Sequence, residues 1–88
     1  MSVSRHRWGD PEVGLRLELP ARMLVRLAVY DIAGRRRTTL LDRELPDGVT
    51  DVTWDGRDAS GIRVASGIYY VRLMHPTGAV VSRVVMIQ

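Results

Sequence analysis

The chain has 88 residues, 45% of them hydrophobic and 26% charged, with a net charge of +3 and no Cys. That length holds one small domain with little core to give up to a large enclosed cavity, and the lack of Cys excludes a disulfide framework or a thiolate zinc site. No run of about 18 apolar residues occurs, so no membrane-spanning helix is expected.

Residues 1–12 show no apolar alternation. The start is basic at Arg5-His6-Arg7 but leads into no apolar stretch of the kind a signal peptide needs, so this segment is read as a tail or linker remnant and the domain as 13–88. From there the hydrophobic period is two, and no segment sustains a helical stripe. Leu15, Leu17 and Leu19 alternate with Arg16 and Glu18, giving a strand closed by Pro20. Val25, Leu27 and Val29 mark a second strand. Asp31-Ile32-Ala33-Gly34 follows, with Asp to start a turn and Gly to accept a positive φ. Residues 35–43 read as a third, more polar strand whose Arg36, Arg37 and Arg43 would discourage pairing at an exposed sheet edge.

Pro46-Asp47-Gly48 is the next turn signal. Val49–Asp55 is a fourth strand with Thr50, Val52 and Trp54 on one face. A loop rich in Gly, Asp and Ser covers 56–67, with a short strand expected around Ile62–Val64. Ile68–Met74 is apolar on both faces at first and reads as a central strand. His75-Pro76-Thr77-Gly78 turns the chain into a last strand over Ala79–Ile87. Six or seven short strands with turns every 8–12 residues predict an all-β fold, an antiparallel sandwich in preference to a barrel.

All 13 basic residues are Arg, set against 10 acidic ones of interspersed position. The chain also lacks Lys, Asn and Phe, which GC-poor codons specify, so the arginine usage follows from base composition before it follows from phosphate binding. The densest patch, Arg35-Arg36-Arg37, has no interleaved aromatic residues for stacking bases. No nucleic-acid partner is expected.

The segment Trp54-Asp55-Gly56-Arg57-Asp58-Ala59-Ser60-Gly61, continuing through Ala65-Ser66-Gly67-Ile68-Tyr69, resembles the Ig-like domain shared by the flagellar hook-capping protein FlgD, Vpr-type extracellular proteases and the C-terminal sorting domains of type IX secretion. Val29-Tyr30-Asp31-Ile32-Ala33-Gly34-Arg35 is similar to that family's first hairpin, and Leu45-Pro46-Asp47-Gly48 to its second turn. The resemblance spans about residues 13–88. It implies an antiparallel Ig-like β-sandwich of about seven strands, with Tyr30, Asp31, Gly34, Gly48, Trp54, Asp55, Gly56, Asp58, Gly61, Gly67 and Tyr69 as structural motif positions. Two departures stand out. Arg37 falls where many relatives are apolar, and Arg83 falls where sorting domains often carry Lys before the final apolar run, which makes Arg83 a candidate sorting or contact residue.

The motif also reads physically. Trp54 offers the largest apolar area and is the expected core anchor. Asp58 can accept a backbone N–H two residues on, and Gly61 can adopt the left-handed region. Asp55, Asp58 and Ser60 lack the alternating oxygen ligands and distal Glu of an EF-hand loop, so turn carboxylates are favoured over a calcium site. His6 and His75 have no second ligand at metal spacing. Ser66 lies in no nucleophile elbow, and the glycines form no phosphate-binding loop. Tyr69 and Tyr70 must point to opposite faces, one to the core and one outward.

No cofactor or metal is expected, and no enzyme. The resemblance implies a C-terminal accessory domain of an exported bacterial protein, acting in secretion, sorting or surface attachment, with a structural assembly module of the hook-cap kind as the alternative. The implied partners are the parent polypeptide or secretion machinery, with self-association through sheet edges. The implied location is extracellular or at the cell surface, with the export signal outside this chain or within the fold itself.

Overall fold

The computed structural model describes residues 1–8 and 12–88, with the backbone alone for 5–8. Seven strands follow one another: β1 (Ser2–Trp8), β2 (Val13–Leu19), β3 (Met23–Asp31), β4 (Arg36–Leu45), β5 (Gly48–Trp54), β6 (Gly67–His75) and β7 (Gly78–Met86). They form two antiparallel sheets, one ordered β1-β2-β5 and the other β4-β3-β6-β7. The expected all-β sandwich is the observed fold. Among the described residues no helix is long and apolar enough to cross a membrane.

The alternation read from the sequence sets the core. Leu15, Leu17 and Leu19 of β2 face Val25, Leu27 and Val29 of β3 and Tyr69, Val71 and Leu73 of β6, all buried. Burying such side chains stabilises each by about 1.5–3 kcal/mol, so the two facing aliphatic layers dominate the folding free energy. Trp54 ends β5 opposite Val13 and is 0% exposed, at one end of that layer. β6 lies between β3 and β7, as its apolar run predicts.

Three expectations are corrected. The tail or linker remnant read over 1–12 is a strand from Ser2 to Trp8, paired with β2 from Ser2↔Glu18 to Trp8↔Val13 and lying beside β6 and β7. Gly9, Asp10 and Pro11 fall outside the described residues. The strand escaped notice because it is a sheet edge whose register shifts between Arg5 and Arg7; among its residues with described side chains only Val3 is buried. Its two apolar residues, Val3 and Trp8, lie five apart, which is no period of two. Second, the strand expected at Ile62–Val64 is a single bridge, Arg57↔Arg63. The number of strands is as expected, with β1 in place of this one. Third, the polar strand is longer than 35–43, running from Arg36 to Leu45.

That strand carries two bulges. Leu27 and Ala28 of β3 pair with Leu41 and Thr39, leaving Leu40 extra. Val29 and Tyr30 pair with Thr38 and Arg36, leaving Arg37 extra. A bulge breaks the period of two and re-aims a side chain. This is why Leu40 and Leu41 both pack on the core, and why the 35–43 segment looks unpatterned in sequence.

Candidate functional site

The motif residues gather at the end of the sandwich where the chain crosses from β5 to β6. Two turns there have the same construction. In the β3–β4 hairpin, Asp31 Oδ1 accepts the N–H of Ala33 (2.9 Å) and of Arg35 (3.0 Å), while Gly34 N–H donates to the Asp31 carbonyl. In the crossover, Asp58 Oδ1 accepts the N–H of Ser60 (2.9 Å) and of Ile62 (3.1 Å), while Gly61 N–H donates to the Asp58 carbonyl. Gly34 and Gly61 share φ +83°. The spacing Asp-x-x-Gly suits both places because a short side chain ending in an acceptor oxygen can gather those two N–H groups and Gly enters that region at no steric cost.

Arg37 stands between the two turns. Its Nη1 lies 3.4 Å from Asp31 Oδ2 and its Nη2 3.9 Å from Asp58 Oδ2, and its carbonyl accepts the Ala59 N–H at 2.9 Å. The bulge aims it there. Asp31 is the one buried charged residue among those described, and it also receives the Arg35 Nε–H at 2.9 Å. The backbone N–H of Arg35 holds its carboxyl below the ordinary carboxylate value; burial opposes this, and the Arg35 guanidinium and Ala33 N–H add to it.

The crossover is fastened along its length. Trp54 Nε1–H donates to the Arg57 carbonyl at 3.0 Å, Arg57 N–H to Asp55 Oδ1 at 3.0 Å, and Arg57 Nη1–H to the Gly61 carbonyl at 2.9 Å. The Gly56 carbonyl accepts from Val64 N–H and from Gln88 Nε2–H. The Trp54 and Tyr69 rings meet edge to face, centroids 5.3 Å apart, and the Tyr69 hydroxyl donates to the Ala65 carbonyl at 2.7 Å. The loop's polar backbone is thus satisfied locally, and both of its ends are anchored in the core by Trp54 and Tyr69.

Sequence-predicted positions fall into three groups. Asp31, Gly34, Trp54, Asp55, Gly56, Asp58, Gly61 and Tyr69 come together at this end of the sandwich. Gly48 lies apart, at the β4–β5 turn with φ +96°, and Gly67 opens β6 opposite Met86. Tyr30 and Arg83 lie on the outer face of the four-stranded sheet, where Tyr30 pairs with Tyr70 and Tyr70 with Arg83. The tyrosine pair divides as expected: Tyr69 is buried and Tyr70 half-exposed outward.

The joining role of Arg37 was not read from the sequence. The signal available was the repeated Asp-x-x-Gly spacing flanking an Arg at an otherwise apolar position. Gln88 is a second such residue: it bonds to Ser66 Oγ through its backbone N–H, to Gly56 and to Arg63.

The arrangement offers no reactive centre among the described residues. No group of three or more His, Asp or Glu is placed to hold a metal ion, and the carboxylates of the motif are committed to N–H groups and to Arg37. Comparison with curated proteins finds no match. The profile of the FlgD Ig-like domain matches residues 4–79, from within β1 through the start of β7. By that match over most of its length the chain belongs to the FlgD Ig-like domain family.

Proposed function

We propose that this domain is a non-catalytic structural module of a flagellar hook-assembly protein, packing as a rigid body against neighbouring subunits. The match to the FlgD Ig-like domain over residues 4–79 carries this reading. It favours assembly over the secretion, sorting or surface-attachment role that the wider resemblance implied. The locally satisfied crossover suits the task, since a rigid body loses less conformational freedom when it docks. The corresponding location is outside the cytoplasm, at the growing structure on the cell surface.

The test is deletion of the segment encoding the domain from its gene, followed by electron microscopy of hooks. Loss or malformation of hooks with the remaining protein still made supports assembly. Normal hooks, together with loss of the parent protein from the cell surface, would replace it by the attachment reading.

A further inference from the structure

The outer face of the β4-β3-β6-β7 sheet carries a row that crosses all four strands in register. Arg36 pairs with Tyr30, Tyr30 with Tyr70, and Tyr70 with Arg83. In the next row Ala28 pairs with Arg72 and Arg72 with Val81. Tyr30, Tyr70, Arg72 and Val81 line an open groove with Ile32. Ile32 is 75% exposed and Val81 58%. The Arg36-Tyr30-Tyr70-Arg83 row is therefore aromatic in the middle and cationic at its ends, with Arg72 one row on from Tyr70 along β6.

Three of its arginines are uncompensated. On the same face Arg26 is paired with Asp42, and elsewhere Arg16 with Asp51 and Arg22 with Glu44. Among the described residues Arg36, Arg72 and Arg83 form no ion pair, and the Asp31 carboxylate at the groove's edge is already taken by Arg35 and Arg37. Guanidinium groups held apart on a rigid sheet, with no carboxylate of their own, complement carboxylates from outside.

We propose that this face docks an extended acidic segment of a partner protein, with two carboxylates four residues apart and an apolar residue midway. The spacing follows from the sheet. Arg36 and Arg83 stand three strand intervals apart, about 14 Å, and same-side residues i and i+4 of an extended peptide are also about 14 Å apart. The residue at i+2 then lies over Tyr30 and Tyr70. Nucleic acid bases or sugar rings would stack on the tyrosines but leave the exposed aliphatic Ile32 and Val81 without an apolar partner, which an apolar side chain supplies. A second copy of this chain offers the same spacing in Asp47-Gly48-Val49-Thr50-Asp51, but there Asp51 is held by Arg16, so one of the two carboxylates is already taken. The surface rests on the assembly reading, for which it supplies the contact.

The test is an amide NMR titration of the 88-residue chain with a synthetic peptide containing Glu-Ser-Leu-Ser-Glu, with parallel titrations using its Gln-for-Glu version, a thymidine oligonucleotide and a heparin fragment. Expected are shifts confined to Tyr30, Tyr70, Arg72, Val81, Arg83 and their sheet neighbours. Binding should fall at least about tenfold in R36E/R83E with the melting temperature unchanged, and should weaken strongly at about 0.5 M salt. No shifts, shifts on another face, equal binding of the Gln peptide, tighter binding of either polyanion, or dimerisation through this face would each overturn the proposal. If R36E/R83E assembles hooks normally while deletion of the domain abolishes them, the docking face is wrong and the assembly reading stands.

Discussion

Asp31 and Asp58 hold the same position in two turns of the same design, and Arg37 joins them, its guanidinium reaching Asp31 Oδ2 at 3.4 Å and Asp58 Oδ2 at 3.9 Å. Asp31 closes a hairpin of the four-stranded sheet, and Asp58 lies in the crossover from the other sheet. The contact therefore fastens one layer of the sandwich to the chain leaving the second. It is made by a bulge residue on an edge strand, a position where a side chain can leave the pleat without disturbing the ladder.

Arg37→Ala should lower stability by about 1 kcal/mol, the scale of one charge-assisted contact with a side chain 30% exposed. Arg37→Met keeps a long stem but no charge, so it should recover little of this. Urea titration of the three proteins decides it. A change of under a few tenths of a kcal/mol in Arg37→Ala would show that the two turns do not depend on the bridge.

Acid should act through Asp31. Its folded-state pKa is depressed below the ordinary 3.8, chiefly by the Arg35 N–H. A depressed carboxylate binds its proton more weakly folded than unfolded, so its contribution is complete above the unfolded value and is lost as pH falls through the folded one. Stability should decline below about pH 4. In Asp31→Asn, which keeps a side-chain oxygen for the turn, that part of the decline should vanish and the stability at neutral pH should be lower. Parallel slopes for the two proteins below pH 4 would assign the acid sensitivity to other carboxylates.

Gly34→Ala and Gly61→Ala form a matched pair. Both glycines sit at φ +83°, and a Cβ at either meets nothing within 4 Å. The cost is then backbone conformation alone, about 1–2 kcal/mol at each site and nearly equal. Asn at either position should cost less than Ala, because Asn tolerates the left-handed region. Chemical denaturation of the four variants measures this. Unequal alanine costs would show that one turn relaxes where the other cannot.

What could be read in advance was what repeats. The alternating Leu of β2 and Val and Leu of β3 and β6 fix both faces of each strand, and the Asp-Gly and Pro-Asp-Gly punctuation fixes where they end. Among its residues with described side chains strand β1 gives one that is buried, Val3, and it has a register shift, so its pairing follows from the unsatisfied edge of β2 and not from its own pattern. The role of Arg37 is hidden for a related reason. An Arg at an apolar position reads as an exposed strand, whereas the bulge turns it toward two carboxylates that the sequence sets apart. The Arg36-Tyr30-Tyr70-Arg83 row needs three registers at once, and sequence periodicity supplies none of them.

Trp54 carries the last prediction. Its indole is fully buried, meets Tyr69 edge to face, and donates from Nε1 to the Arg57 carbonyl. Trp54→Ala should cost about 3–5 kcal/mol, a large part of what a domain this small possesses, and should leave much of the population unfolded at ambient temperature. Trp54→Phe separates the two contributions. It retains most of the apolar contact but leaves the Arg57 carbonyl without its donor, so an intermediate loss of about 1–3 kcal/mol is expected. Because that carbonyl begins the Asp58 turn, hydrogen exchange at Ser60 and Ile62 should quicken in Trp54→Phe more than at core strand β3. Uniform quickening would mean that the indole holds only the sandwich, and that the crossover is fastened by Arg37 and Gln88 without it.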